Sequence, residues 1–277
     1  MRSLVIVSAL SLAALSSAVA QPATPSIQLA PHRAIYDLSL LRSQGSRGLD
    51  SARGRIAMDF GGDACDGYTL NYRQVTVLNS NESGARTVDT QTATFETGDG
   101  LSMRFKSTST NGSAGANGVD GDARLKPDGT LDVHFKQPRS AGFSVAGQPV
   151  FPTEHLKRII EAGRQGQTTL AVKVYDGSDD GKKIYDTLGV IGRKIEAGAG
   201  SNLDEASRQE NLQRVARWPV TISYFIEGSA DRVPAYTVSF ELYENGISRA
   251  LRLDYGDFVL KGDLQTLQIQ PATACQR

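Results

Sequence analysis

The residues of this 277-residue chain whose types allow chemistry are few: two cysteines, three histidines and one acidic hexapeptide. Cys65 stands in GGDACDG and Cys275 in the closing PATACQR. As thiolates they would serve as a nucleophile or a metal pair, yet neither has a C-x-x-C spacing or a histidine cluster beside it. In an oxidising compartment the two allow one intramolecular disulfide, Cys65 to Cys275, which would staple the C-terminal tail to the early part of the fold. His32, His134 and His155 show no H-x-H, H-x-x-x-H or H-E-x-x-H spacing, so no zinc site is expected from them. His32 reads as a strand-entry residue with a backbone partner, and His155 as a residue of a first helical turn. In DGSDDG (176–181), Asp176, Ser178 and Asp180 match the opening of a calcium loop. The twelfth position is Thr187, where a bidentate glutamate is required, and the flanks alternate like strands, so a tight acidic hairpin is expected instead. GFSVAG around Ser144 places its second glycine one position too late for the G-x-S-x-G elbow and reads as chance. Asn81-Glu82-Ser83 and Asn111-Gly112-Ser113 match the glycosylation acceptor, which matters only in a eukaryotic secretory route. No catalytic residue, metal site or cofactor is expected, and the chain does not read as an enzyme.

The compartment is read from the N-terminus. Arg2 precedes an apolar stretch from Leu4 to Leu15, and Ala18-Val19-Ala20 supplies the small-x-small pattern of a signal peptidase site. The stretch is shorter than the roughly 20 apolar residues that span a bilayer. A signal peptide over 1–20, cleaved after Ala20, is therefore expected, and no cysteine follows it to be acylated. Residues 21–28, QPATPSIQ, form a flexible lead-in, and 29–277 read as a single domain. Thirty basic and thirty acidic residues give a formal net charge of zero, so no field gathers nucleic acid or an anionic membrane surface.

The elements that must position these residues are mostly strands. HRAIYDLSL, GRIAMDF, YTLNYRQVTVL, ARTVDTQTATFE and LSMRFKSTST each alternate or are rich in β-branched residues. NGSAGANG (111–118) is a loop by composition, and Pro127-Asp128-Gly129 sits between two alternating runs as a hairpin turn. One helix is expected at 153–164, where Leu156, Ile159 and Ile160 recur at helical spacing between Pro152 and Gly166. TTLAVKVY and KKIYDTLGVIGRKI return to strand, while 196–213 read as a long loop or short exposed helix. The last quarter gives four successive strands, with Tyr236, Val238, Phe240 and Leu242 on one face and Asn245-Gly246 as a two-residue hairpin. About a dozen strands and one helix predict a mainly β fold, an antiparallel sheet curled into a sandwich or open barrel.

APHRAIYDLSL, FPTEHLKRII, VYDGSDDGKKIYDTLGVIG, WPVTISYF and LDYGDFVLKGDLQTL, together with the two lone cysteines, resemble the EipB-type cell-envelope integrity family of alphaproteobacterial periplasmic proteins. The resemblance runs from about Pro31 to Cys275 and rests on the joint order of the segments. It implies a monomeric β-spiral of about fourteen strands with one or two helices, similar to the periplasmic lipoprotein carriers LolA and LolB. It further implies a periplasmic location, a role in envelope integrity and stress resistance without catalysis, a disulfide that here falls on Cys65 and Cys275, and a link to a periplasmic tetratricopeptide-repeat protein. The alternative reading is a carrier whose concave β-surface holds a lipid or acylated peptide. Phe225, Tyr236, Phe240 and Phe258 are the strand aromatics that would support it, though such residues are more often ordinary core.

Overall fold

The computed structural model describes residues 26–44, 48–82, 84–112, 115–137, 141–200, 203–230 and 233–271. The expected signal peptide and Cys275 lie outside the described residues. Eight strands come first: β1 (His32–Ser43), β2 (Ser51–Asp63), β3 (Gly67–Ser80), β4 (Gly84–Glu96), β5 (Ser102–Asn111), β6 (Asn117–Leu125), β7 (Leu131–Gln137) and β8 (Ala141–Val145). Helix α1 (Pro152–Arg164) follows, then β9 (Thr169–Val174) and β10 (Tyr185–Ile191). A 3₁₀ turn (Glu205–Arg208) and the one-turn helix α2 (Glu210–Gln213) precede β11 (Arg217–Ile226), β12 (Tyr236–Tyr243), β13 (Ser248–Asp254) and β14 (Phe258–Ile269).

All fourteen strands form one antiparallel sheet in the order β8-β7-β6-β5-β4-β3-β2-β1-β14-β13-β12-β11-β10-β9. Every strand lies beside its chain neighbour except at one place, where β1 pairs with β14 and leaves β8 and β9 as the two edges. The sheet is therefore curled but open, as the strand pattern predicts. Between the edges, Val150 forms a parallel bridge to Val174, donating its N–H to Lys173 O at 2.8 Å and accepting from the Tyr175 N–H at 3.0 Å.

Helix α1 lies within the curl, at the end where β2 turns into β3 and β12 into β13. Its Ile159, Ile160 and Ala162 pack with Phe60 and Tyr68 on one side and with Trp218, Val220 and Ile222 on the other. Pro152 in the first turn has no amide hydrogen to lose, and Phe151 supplies no side-chain cap. Glu96 of β4 takes over that role: both its carboxylate oxygens accept from the Thr153 N–H, at 3.2 and 3.0 Å. Burial pushes the Glu96 carboxyl up to about 7 against the lowering effect of that bond. Gly163 lets the helix approach the indole of Trp218, since a Cβ there would stand 3.0 Å from the ring. Two further apolar clusters line the sheet walls, one around Tyr36, Leu253 and Leu264, the other around Phe105, Phe135 and Tyr175.

The segment expected at 196–213 as a long loop or short exposed helix packs on β14 through its 3₁₀ turn, buries Leu212 in an apolar cluster, and is tied by charge and a hydrogen bond to β11 and β13. Arg249 binds Asp204 at 2.9 Å and Glu241 at 2.7 Å, and Arg217 binds Glu241 at 2.6 Å and donates to Ala199 O at 3.0 Å. Both arginines are buried, so each charge is matched by its partner rather than by water.

Three details depart from the sequence reading. Strand β8, which carries Ser144 of GFSVAG, is not foreseen in the sequence, and Ser144 donates there to Asp132 at 2.7 Å. The loop expected over 111–118 is shorter, because β5 runs to Asn111 and β6 starts at Asn117. The Asn245-Gly246 hairpin has three loop residues rather than two. Gly246 donates to Tyr243 O, Tyr243 donates to Ile247 O, and Gly246 takes a φ of 86° that closes the turn.

Candidate functional site: a cavity inside the curled sheet

Along β3 the inner face changes character. Tyr72, Gln74, Thr76 and Leu78 point inward, while Val75 and Val77 point outward, Val77 with 38% of its surface exposed. Two valines outside and an amide and hydroxyl inside invert the usual alternation of a half-buried strand. Strand β4 repeats the pattern in register: Thr92 lies across from Tyr72, Thr90 from Gln74, Val88 from Thr76 and Arg86 from Leu78. Ser109 of β5 continues the row beside Thr90, their hydroxyls 3.2 Å apart. A polar core would be costly unless it faced a space, and it does.

That space is a cavity of about 680 Å³, within the range of ligand sites. The polar wall of β3–β5 faces an apolar one formed by Tyr236 and Val238 of β12, Leu253 of β13, and Phe258 and Leu260 of β14. Several lining residues adjoin turns at one end of the sheet: Arg86 next to the β3–β4 turn, Ala235 before β12, and Tyr255 between β13 and β14. The cavity therefore opens among these turns, with α1 filling the opposite end. Near the opening Leu41, Ile226, Val233 and Tyr255 are exposed, Val233 by 75%.

The acidic hexapeptide forms the third wall. DGSDDG lies within the connection between β9 and β10, residues 175–184, longer than the tight hairpin expected, and that connection carries Asp176, Ser178, Asp179 and Lys183 to the cavity. Asp176 accepts from the Ser178 N–H through Oδ1 at 2.9 Å. Burial raises its carboxyl above the usual range, with the nearby Asp179 adding to the effect. Beside it stand Tyr185, Tyr224 and Tyr236; the last two rings stack at 4.4 Å and Tyr185 meets both edge-on at 5.7 and 5.8 Å. No group of three or more His, Cys, Asp or Glu arranged to hold a metal occurs among the described residues.

The histidines lie apart. His32 meets the Ala30 carbonyl at 2.8 Å, the backbone partner expected of it, and His134 lies in β7. His155 is buried in the first turn of α1, 3.4 Å from the Thr187 hydroxyl, and burial lowers it to about 4. Thr187, the residue in the twelfth calcium-loop position, donates instead to Val172 O at 2.8 Å. Cys65 is exposed in the β2–β3 turn, and Cys275 lies outside the described residues. Of the four strand aromatics, Tyr236 and Phe258 line the cavity, Phe240 packs with the α1 cluster, and Phe225 sits across from Asp186 on the other face. Sequence reasoning passed over four residues that define the cavity, Gln74, Thr76, Thr90 and Thr92, and read Asp176 only as part of an acidic hairpin. The signal for the first four was the inverted alternation of YRQVTVL and the threonine run of its neighbour. A second depression, about 490 Å³ on the outer face of β1–β5, has an Ala57–Ala93 floor. Of its flanking charges, Arg33 pairs with Asp59 and Arg73 with Asp89.

An open antiparallel sheet curled around a ligand-sized interior, closed at one end by a helix, defines a β-barrel-like protein of the open, cup-shaped kind. The chain belongs to the EipB-like family, whose profile matches residues 23–271. It is 36% identical over 251 residues to the cell envelope integrity protein EipB of Brucella abortus (strain 2308), covering 90% of this chain and 88% of that protein. It is also similar to the crystal structure of a beta-barrel-like protein from Brucella abortus, with a TM-score of 0.81 and 35% identity. That match covers 89% of this chain and 100% of the other.

Proposed function

We propose that this chain supports cell-envelope integrity as a non-catalytic binding protein. It resides in the periplasm after cleavage at Ala20 and holds an amphiphilic envelope molecule, a lipid or acylated peptide, in its cup. Membership of the EipB-like family and the name of the Brucella relative support the envelope role. The observation that carries the binding role is the cavity with one wall of hydroxyls and amide and one of aromatic and aliphatic side chains, open at one end. Such a lining suits a molecule that is apolar along one side and hydrogen-bonding along the other. A second reading, action through a partner such as a tetratricopeptide-repeat protein, is favoured by the exposed Leu41, Ile226, Val233 and Tyr255 near the opening. The two readings are compatible if the partner receives the cargo.

Thr90→Trp tests the binding role by filling the cavity from the middle of the polar wall. Fluorescence titration with a dansylated fatty acid should show affinity reduced by roughly tenfold or more, since the probe loses most of its buried contacts. Circular dichroism should show the strand content retained. Equal affinity of the folded variant and the parent would remove the cavity as the binding site.

A further inference from the structure

We infer that the ligand of the cavity presents a cationic head, an amine or quaternary ammonium, to Asp176 and the tyrosines Tyr185 and Tyr236, with Tyr224 stacked on Tyr236 in support. The inference rests on the binding role proposed above and names the head group that the site takes. Three observations carry it. Asp176 lines the cavity, its carboxylate accepts from the Ser178 N–H at 2.9 Å, and no described lysine or arginine forms an ion pair with it. Three tyrosine rings stand in mutual contact beside it, and the negative faces of aromatic rings attract a cation held close to them. The hydroxyls of Tyr224 and Tyr236 likewise accept or donate no bond among the described residues, so the cluster is not consumed by its own structure.

The cations already present do not satisfy Asp176. Lys183, on the same loop, is bound to Asp179 at 2.5 Å. Arg86 reaches the cavity from β4 but is exposed, where water already solvates it and an added partner gains little. Asp254 and Tyr255 border the cavity from the end of β13 and add no positive charge. A desolvated carboxyl without a counter-ion is the group for which a ligand's charge counts most. A permanently cationic head favours the ionised carboxylate, so binding displaces a proton from Asp176 and tightens as pH rises.

The test is calorimetric titration of the full mature chain with three amphiphiles of equal tail, each below its micellar threshold: dodecyltrimethylammonium, dodecyl maltoside and dodecyl sulfate. The trimethylammonium compound should bind about tenfold tighter than the maltoside, a difference that desolvated cation–ring contact supports. That preference should grow as pH rises, because burial raises the Asp176 carboxyl above its usual range. Asp176→Asn should abolish the preference, and Tyr236→Leu, which keeps the carboxyl, should reduce it. Sulfate binding as tightly as trimethylammonium, or an undiminished preference in both folded variants, would overturn the cationic head while leaving the cup a binding site. Binding of none of the three would overturn the cavity reading itself.

Discussion

Replacing Trp218 with alanine should lower the free energy of unfolding by about 3–5 kcal/mol, the range for deleting a large buried aromatic. Trp218 is 2% exposed and faces the interior from β11, where its indole lies directly on Gly163 of α1. The glycine offers no side chain to fill the space left by the ring. Ile159, Ile160 and Ala162 belong to the same cluster, so loss of the indole loosens the element that closes one end of the cup. Urea denaturation followed by circular dichroism measures the effect. A loss under about 1 kcal/mol would mean that the surrounding side chains collapse into the gap, and that the helix does not depend on this contact.

The second large effect is expected from the cysteines. We propose that Cys65 and Cys275 are joined, and that Cys275→Ser lowers stability by up to about 5 kcal/mol, the chain-entropy value for so long a loop. The topology is compatible with the bridge. His32 at the start of β1 lies across from both Phe60 of β2 and Ile269 of β14, so the turn carrying Cys65 and the last described residues leave the sheet at the same end. The β1–β14 ladder itself persists without a bridge, so the fold should survive and the melting temperature fall. A reductant should bring the parent protein down to the level of the variant. Identical melting of parent and variant, with and without reductant, would remove the staple.

Much of the fold was legible in the chain because each strand announces itself locally. Tyr236, Val238, Phe240 and Leu242 face inward together, as their spacing predicts, and Pro152 to Arg164 form the one long helix. Strand β8 escaped notice because five residues with two small ones, Ala141 and Gly142, carry too little periodicity. The closure of β1 on β14 is a pairing between the two ends of the chain, and no local pattern encodes it. The cavity was harder still. Thr90 and Thr92 suit a strand whichever way they face, and only the register with Gln74 and Tyr72 shows that they share an inner wall. Asp176 was visible as part of an acidic hairpin, but its role depends on tyrosines brought from three other strands, Tyr185, Tyr224 and Tyr236.

The most direct measurement is native mass spectrometry of the protein isolated gently from the periplasm of its own cells. The expected result is a monomer carrying an additional mass, a lipid or acylated peptide with an amine or quaternary ammonium, which is released when the protein unfolds. A bare chain, with a partner protein appearing only after crosslinking, would contradict the cup as a binding site and leave the envelope role to the partner alone.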